Sequence, residues 1–150
     1  MRFIADVMLG RLARWMRFLG FDTLYFNNIT DSRLLRIARE QNRFILTRDT
    51  LLARKKGNKY CLLITANDSL QQLMEVIEKL ALKRFNLLTR CVVCNGRLIR
   101  ISTKNEIKNF VPEFIYLNYN FFMKCDDCGK IYWEGSHPKQ FKEKIKEILK

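Results

Sequence analysis

Four cysteines in two Cys-x-x-Cys pairs, Cys91/Cys94 and Cys125/Cys128, have the spacing of metal ligands. Each pair sets two thiolates on one tight turn. Asn95-Gly96 follows the first pair and Gly129 the second, which gives the backbone freedom to turn amides back toward sulfur. Two such knuckles predict a closed tetrahedral four-thiolate site, the geometry of structural zinc. An iron–sulfur cluster would use similar ligands. Two redox disulfides fit less well, since thioredoxin-like motifs follow a strand and rarely come doubled. Cys61 lies inside the apolar run YCLLIT and reads as a small core residue.

The second set is acidic. Asp6 sits near the end of a first strand, Asp31 opens a second helix, Asp49 ends a third strand, and Asp68 follows a fourth. In a parallel sheet the strand carboxyl ends share one edge, where open α/β folds bind ligands. Asp6, Asp49 and Asp68 are expected to converge there, with Asp31 within reach. A plainer role is available to three of them, because Asp31, Asp49 and Asp68 stand where helices begin and Asp is a good N-cap. Asp6, embedded in a strand, has no helix to cap. Clustered carboxylates repel unless a cation joins them, and hard oxygen donors suit Mg²⁺ or Mn²⁺. In a basic protein such a site points to phosphodiester hydrolysis.

The elements that must position these groups are legible as alternating patterns. Short apolar runs at Arg2–Val7, Thr23–Phe26, Phe44–Thr47 and Tyr60–Thr65 read as strands. Helical spacing joins Leu9, Leu12, Ala13, Met16 and Leu19, then Leu34, Leu35 and Ala38, then Leu70, Leu73, Met74, Ile77 and Leu80. Strands alternating with helices predict a three-layer α/β fold on a parallel sheet. From about Leu88 the pattern changes to aromatic and β-branched residues between the cysteine pairs. A last helix carries Phe141, Ile145, Ile148 and Leu149 on one face. The expected division is residues 1–87 and residues 88–150.

The chain of 150 residues has 28 Lys and Arg against 15 Asp and Glu, a net charge of +13. Both parts are basic, and a polyanion is the first partner to consider. With 48% hydrophobic residues, disorder is excluded. No apolar run approaches the roughly 20 residues of a membrane span. Asp6, Arg11, Arg14 and Arg17 break the opening stretch, which argues against a secretory signal, so a cytoplasmic protein is expected.

Several motifs occur in order along nearly the whole chain: Ile4-Ala5-Asp6, Met8-Leu9-Gly10-Arg11-Leu12-Ala13-Arg14-Trp15, Gly20-Phe21-Asp22-Thr23, Leu46-Thr47-Arg48-Asp49, Gln72-Leu73, Arg90-Cys91 through Gly96, and Tyr132-Trp133-Glu134-Gly135-Ser136-His137. With these the chain resembles the Mut-seven C-terminal RNase family. The resemblance implies a PIN-like α/β/α domain with a C-terminal zinc ribbon, and metal-dependent cleavage of RNA. It places Asp6, Asp31 and Asp49 at the acidic positions of a PIN-like site. Asp68 matches less closely, because relatives often carry two acids in this stretch and here the first is Asn67.

Arginine outnumbers lysine in the first fifty residues, and its planar fork suits phosphate. Arg11, Arg14 and Arg17 recur along the first helix, and Arg33, Arg36, Arg39 and Arg43 along the second. Arg11, Arg14 and Arg48 are the expected substrate contacts, with Lys55 in a basic loop beside Arg54, Lys56 and Lys59. Tyr116, Tyr119, Phe121 and Phe122 could stack bases, though packing is the plainer use. His137 is the only histidine and is assigned a structural turn. The expected function is Mg²⁺- or Mn²⁺-dependent RNA hydrolysis; the rival is a non-catalytic RNA- or ribosome-binding adaptor whose acids are only caps.

Overall fold

Four short apolar strands, β1 (Phe3–Ala5), β2 (Thr23–Tyr25), β3 (Phe44–Thr47) and β4 (Cys61–Leu63), pair in parallel in the order β2-β1-β3-β4. The computed structural model describes residues 1–55, 59–134 and 139–148, with 139–142 by backbone alone. Four helices connect or follow the strands: α1 (Gly10–Phe18), α2 (Asp31–Glu40), α3 (Thr50–Arg54) and α4 (Ser69–Lys79). Parallel neighbours need such crossovers, and right-handed ones place α1 on one sheet face and α2 and α3 on the other. The core agrees. Ile4 and Ile45, paired across β1 and β3, pack with Leu34 and Ala38 of α2 and Leu52 of α3. On the opposite side α1 lies on β1 and β2 and also meets α4. Every residue of β1 is buried, as expected of a central strand covered on both faces.

The chain divides into two compact units, Met1–Asn95 and Gly96–Lys150. The first cysteine pair therefore folds with the first unit, beyond the sequence-based boundary at 87/88. The second unit holds an antiparallel sheet of β5 (Leu98–Arg100), β6 (Phe122–Cys125) and β7 (Ile131–Trp133), with α5 (Glu113–Asn118) and α6 (Lys139–Ile148). Among its described residues, Ile107, Phe122, Cys125, Tyr132 and Ile145 are buried.

Two helices go beyond the sequence reading. The five residues of α3 are too few to show a period, and Asp49 starts them by accepting hydrogen bonds from Leu51 N and Leu52 N. The α5 helix buries no residue, so it has no apolar stripe to detect. The expected face of α6 is described only at Ile145, buried, and Ile148, partly buried. Lys56, His137, Leu149 and the Phe141 side chain lie outside the described residues. Among those described, no helix is long and apolar enough to cross a membrane.

Candidate functional site

Asp6 leaves β1 at the carboxyl edge of the parallel sheet and is 5% exposed. Both of its carboxylate oxygens are engaged. Oδ1 accepts Val7 N–H at 2.8 Å, and Oδ2 accepts the Thr47 hydroxyl at 2.8 Å. The expectation that Asp6 caps nothing is thereby corrected: it caps the single 3₁₀ turn Val7–Leu9, a start too short to leave a helical period. Thr47, the last residue of β3, also accepts Asp49 N–H at 2.9 Å. One buried hydroxyl thus joins the Asp6 carboxylate to the backbone of Asp49. Each oxygen of a carboxylate has two lone pairs, so these bonds leave acceptor capacity on Asp6.

Asp49 and Asp68 are N-caps. Asp49 Oδ1 receives Leu51 N and Leu52 N, and Asp68 Oδ2 receives Leu70 N and Gln71 N. Each cap takes both of its amide bonds on one carboxylate oxygen. Asp31 differs from expectation: Thr30 takes the capping role, its hydroxyl accepting Arg33 N, and Asp31 is exposed in the first turn.

The segment carrying Asn67 and Asp68 is fixed from three sides. Glu75 accepts hydrogen bonds from Thr65 N, Thr65 Oγ1 and Ala66 N, at 2.9–3.1 Å. Burial alone would raise its carboxyl; the bonds from Lys79 and from these amides hold it at about 2 instead. Gln72 Nε2 donates to Ala66 O at 3.0 Å, and Arg48 donates to Asn67 Oδ1 at 2.7 Å. Trp15 Nε1 donates to Ser69 Oγ at 3.1 Å, tying α1 to the start of α4. Beside this segment opens a cleft of about 380 Å³, lined by Arg11, Tyr25, Asp68, Ser69 and Gln72 among others. Sequence reasoning missed Thr47 and Glu75 as supports. The hydroxyl two residues before Asp49 was the only local hint, since Glu75 reaches back ten residues.

The basic residues separate by burial. Arg11 and Arg14 are exposed on α1, Lys55 is exposed at the end of α3, and Arg48 lies partly buried against the Asn67 segment. Arg17 and Arg43 leave the solvated faces on which their spacing put them. Arg17 is buried and donates to Thr23 O, Val92 O and Val93 O at 2.8, 3.1 and 3.0 Å. Burial lowers its guanidinium pKa, against the opposing charges of Cys91 and Cys94. Arg43 lies past the end of α2, buried, with Nη1 2.7 Å from Asp22 Oδ1. Asp22 also receives Asn95 Nδ2 at 2.7 Å, and Arg2 and Arg90 approach it at 3.4 and 3.6 Å. Burial would raise the Asp22 carboxyl, but the Arg43 and Asn95 hydrogen bonds and the charges of Arg43 and Arg90 hold it at about 2.

The Sγ atoms of Cys91, Cys94, Cys125 and Cys128 all lie within 4.8 Å of one another. Zinc–sulfur bonds of about 2.3 Å in a tetrahedron put sulfurs roughly 3.8 Å apart, so the donor set fits a zinc ion. Among the described residues this is the only group of three or more Cys, His, Asp or Glu side chains close enough to share an ion. The turns are built for it. Asn95 and Gly129 adopt positive φ of 71° and 79°, and a Cβ on Gly96 would come within 2.7 Å of Cys125 Sγ. Cys128 N approaches Cys125 Sγ at 3.5 Å. Asn95 Oδ1 accepts Thr23 N–H at 2.9 Å, so the first knuckle is seated on β2 by both Arg17 and Asn95. The cysteine cluster and the carboxyl-edge aspartates are different chemistry, soft thiolate against hard oxygen.

A family model described as the Mut7-C RNAse domain matches residues 1–145. No curated protein and no solved structure matches the chain.

Proposed function

The chain belongs to the Mut7-C RNAse domain family, and from that premise we propose that it hydrolyses RNA phosphodiester bonds at the carboxyl edge of the parallel sheet. The observation that carries this is the hydrogen-bonded series Asp6–Thr47–Asp49 at that edge, in a chain matched to an RNase family over residues 1–145. In this proposal residues 1–87 form a PIN-like three-layer nuclease domain, and residues 88–150 a zinc ribbon with a C-terminal helix, with zinc on the four cysteines.

In this proposal Asp6, Asp31 and Asp49 take up Mg²⁺ or Mn²⁺ by moving their side chains together, since as they stand they are not close enough to share an ion, and Asp68 completes the catalytic acids. A bound divalent ion supplies a lowered pKa for an attacking water and charge neutralisation for the phosphate. The chain's own groups do the rest. Thr47 fixes the Asp6 carboxylate by donating to one of its oxygens. Asp49 and Asp68 keep one oxygen each on a helix amide pair, which sets the direction of the other. Arg11 at the cleft, with Arg14 exposed on the same helix, would offer charge to draw in the phosphate backbone, which the acids alone would repel. Arg48 holds the Asn67 segment and adds charge next to Asp49; Lys55 would meet flanking RNA. A cytoplasmic setting goes with this proposal, since four thiolates must stay reduced.

A second reading, an RNA- or ribosome-binding adaptor, is favoured by the capping bonds of Asp49 and Asp68, which explain those acids without catalysis. Cleavage of a mixed RNA pool with Mg²⁺ or Mn²⁺, by wild type and by Asp6→Asn, decides between them. Loss of cleavage in the variant is expected. Equal cleavage by both proteins would sink the acidic site, and RNA binding without cleavage under any metal would favour the adaptor.

A further inference from the structure

At the amino end of the sheet, a cavity of about 620 Å³ opens beside the first residue of β3 and the residue before β4. Its size falls in the range of about 300–1,000 Å³ common to small-molecule sites. One wall is aromatic: Phe44 and Tyr60 meet edge to face with ring centroids 6.4 Å apart, and Tyr60 is 62% exposed. The rim is cationic. Arg2, Arg39, Arg43 and Lys59 line it, with no described acid among the lining residues.

These four cations are not equivalent. Arg43 is committed to Phe3 O and Asp22, and Arg2 to Gln41 O and Asp22. Arg39 and Lys59 are exposed, and among the described residues neither has a carboxylate within ion-pair distance. The Lys59 ammonium stands 5.1 Å from the centre of the Tyr60 ring. One shared carboxylate does not neutralise four cations, so the cavity is concave, positive and open to an aromatic face. A solvated helix face would account for Arg39 alone. It does not account for an exposed tyrosine and a lysine with no described carboxylate partner lining the same cavity.

We propose that this cavity binds a nucleotide unit, with its phosphate between Arg39 and Lys59 and its base stacked on Tyr60. Guanidinium and ammonium groups together suit a phosphate, and a tyrosine face accepts any base. The unit is either a free mononucleotide or one nucleotide of an RNA strand. The cavity lies beyond a strand's length from Asp49, which is roughly 16 Å of extended chain on from Phe44 at the start of β3. It is therefore separate from the acidic edge and does not depend on cleavage there.

Binding is measured on the full chain with its zinc, in buffer without added Mg²⁺ or Mn²⁺, so that no cleavage is read. Uridine 5′-monophosphate is titrated calorimetrically, and a labelled ten-nucleotide oligouridylate by anisotropy. The exposed positions allow Tyr60→Ala and the double variant Arg39→Ala/Lys59→Ala, with circular dichroism to verify folding. Each variant is expected to weaken binding about tenfold or more. The double variant should also reduce the salt slope for the oligonucleotide by about 0.7, the share of one neutralised phosphate on a single strand. Loss for both probes identifies a mononucleotide site; loss for the oligonucleotide alone identifies a strand contact. Wild-type affinity for both probes in both variants overturns the proposal, as does uridine binding as tightly as its monophosphate. Metal-dependent cleavage by the wild type would survive that failure, so the two proposals fail separately.

Discussion

Thr47 donates its hydroxyl hydrogen to Asp6 Oδ2 at 2.8 Å, joining the last residue of β3 to the acid that follows β1. Both residues are buried, and the same hydroxyl oxygen accepts Asp49 N–H. Thr47→Val keeps the shape and removes the donor, leaving Asp6 short of one partner. The expected cost is about 1–3 kcal/mol of stability, together with a drop in metal-dependent cleavage. Thr47→Ser should restore both. Thermal unfolding and a cleavage assay on the three proteins test this, and unchanged stability in Thr47→Val would show that the bond is dispensable.

Arg17 is expected to matter for the cysteine site although it touches no sulfur in any bond described above. Three backbone carbonyls, two of them between Cys91 and Cys94, depend on its guanidinium. Arg17→Met retains much of the packing and leaves those carbonyls unpaired, so the loss should be roughly 3 kcal/mol. Zinc should also be lost at lower chelator concentration. Denaturant unfolding and chelator competition measure the two effects; zinc retention equal to wild type would rule out a role in seating the knuckle.

Acid should weaken the fold through Asp22. Its carboxyl falls from the usual 3.8 to about 2 in the folded chain. A depressed folded pKa means that the contribution is fully present above the unfolded value and is lost as pH falls from about 4 through 2. The size is roughly 2 kcal/mol. Asp22→Asn should be less stable than wild type at neutral pH and should show a flatter stability curve in that window. Parallel curves for the two proteins would exclude Asp22 as the source.

Glu75 controls the segment that presents Asp68. Removing its charge in Glu75→Gln weakens the bonds from Thr65 and Ala66. Hydrogen exchange at residues 65–68 should rise several-fold while α2 exchanges as before. Uniformly faster exchange would mean general destabilisation and not a local clamp.

Metal removal is the sharpest test of the cysteines. One zinc per chain is expected, and chelation should unfold the second unit, because thiolate sites of this kind contribute about 10–16 kcal/mol of apparent folding free energy. Cys94→Ser and Cys128→Ser should behave like chelated protein in proteolysis. A chain that holds no zinc and resists protease equally with and without chelator would refute the structural metal.

Much of this was legible along the chain. The alternation of apolar runs and helical periods marked all four strands of the parallel sheet and three of its helices, because burial imposes a period wherever an element is long enough. Cys-x-x-Cys spacing is local, so the four ligands could be named without coordinates. Where the signal was shorter than a period, it failed: α3 is five residues long and the turn capped by Asp6 is three.

What the sequence determined by itself, then, is the class of the longer elements around the parallel sheet, the cysteine set and the excess of positive charge. Tertiary structure decided which charges are available. Arg11 and Arg17 share a helix and look alike in sequence, yet one is exposed at the cleft and the other is buried on three carbonyls. Asp22, an ordinary acid in the chain, becomes the centre of a partly buried cluster of Arg2, Arg43 and Arg90, while Thr47 gains its importance only when β1 and β3 pair. Composition counts charges and hydroxyls. Their partners lie tens of residues away, and only packing brings them within bonding distance.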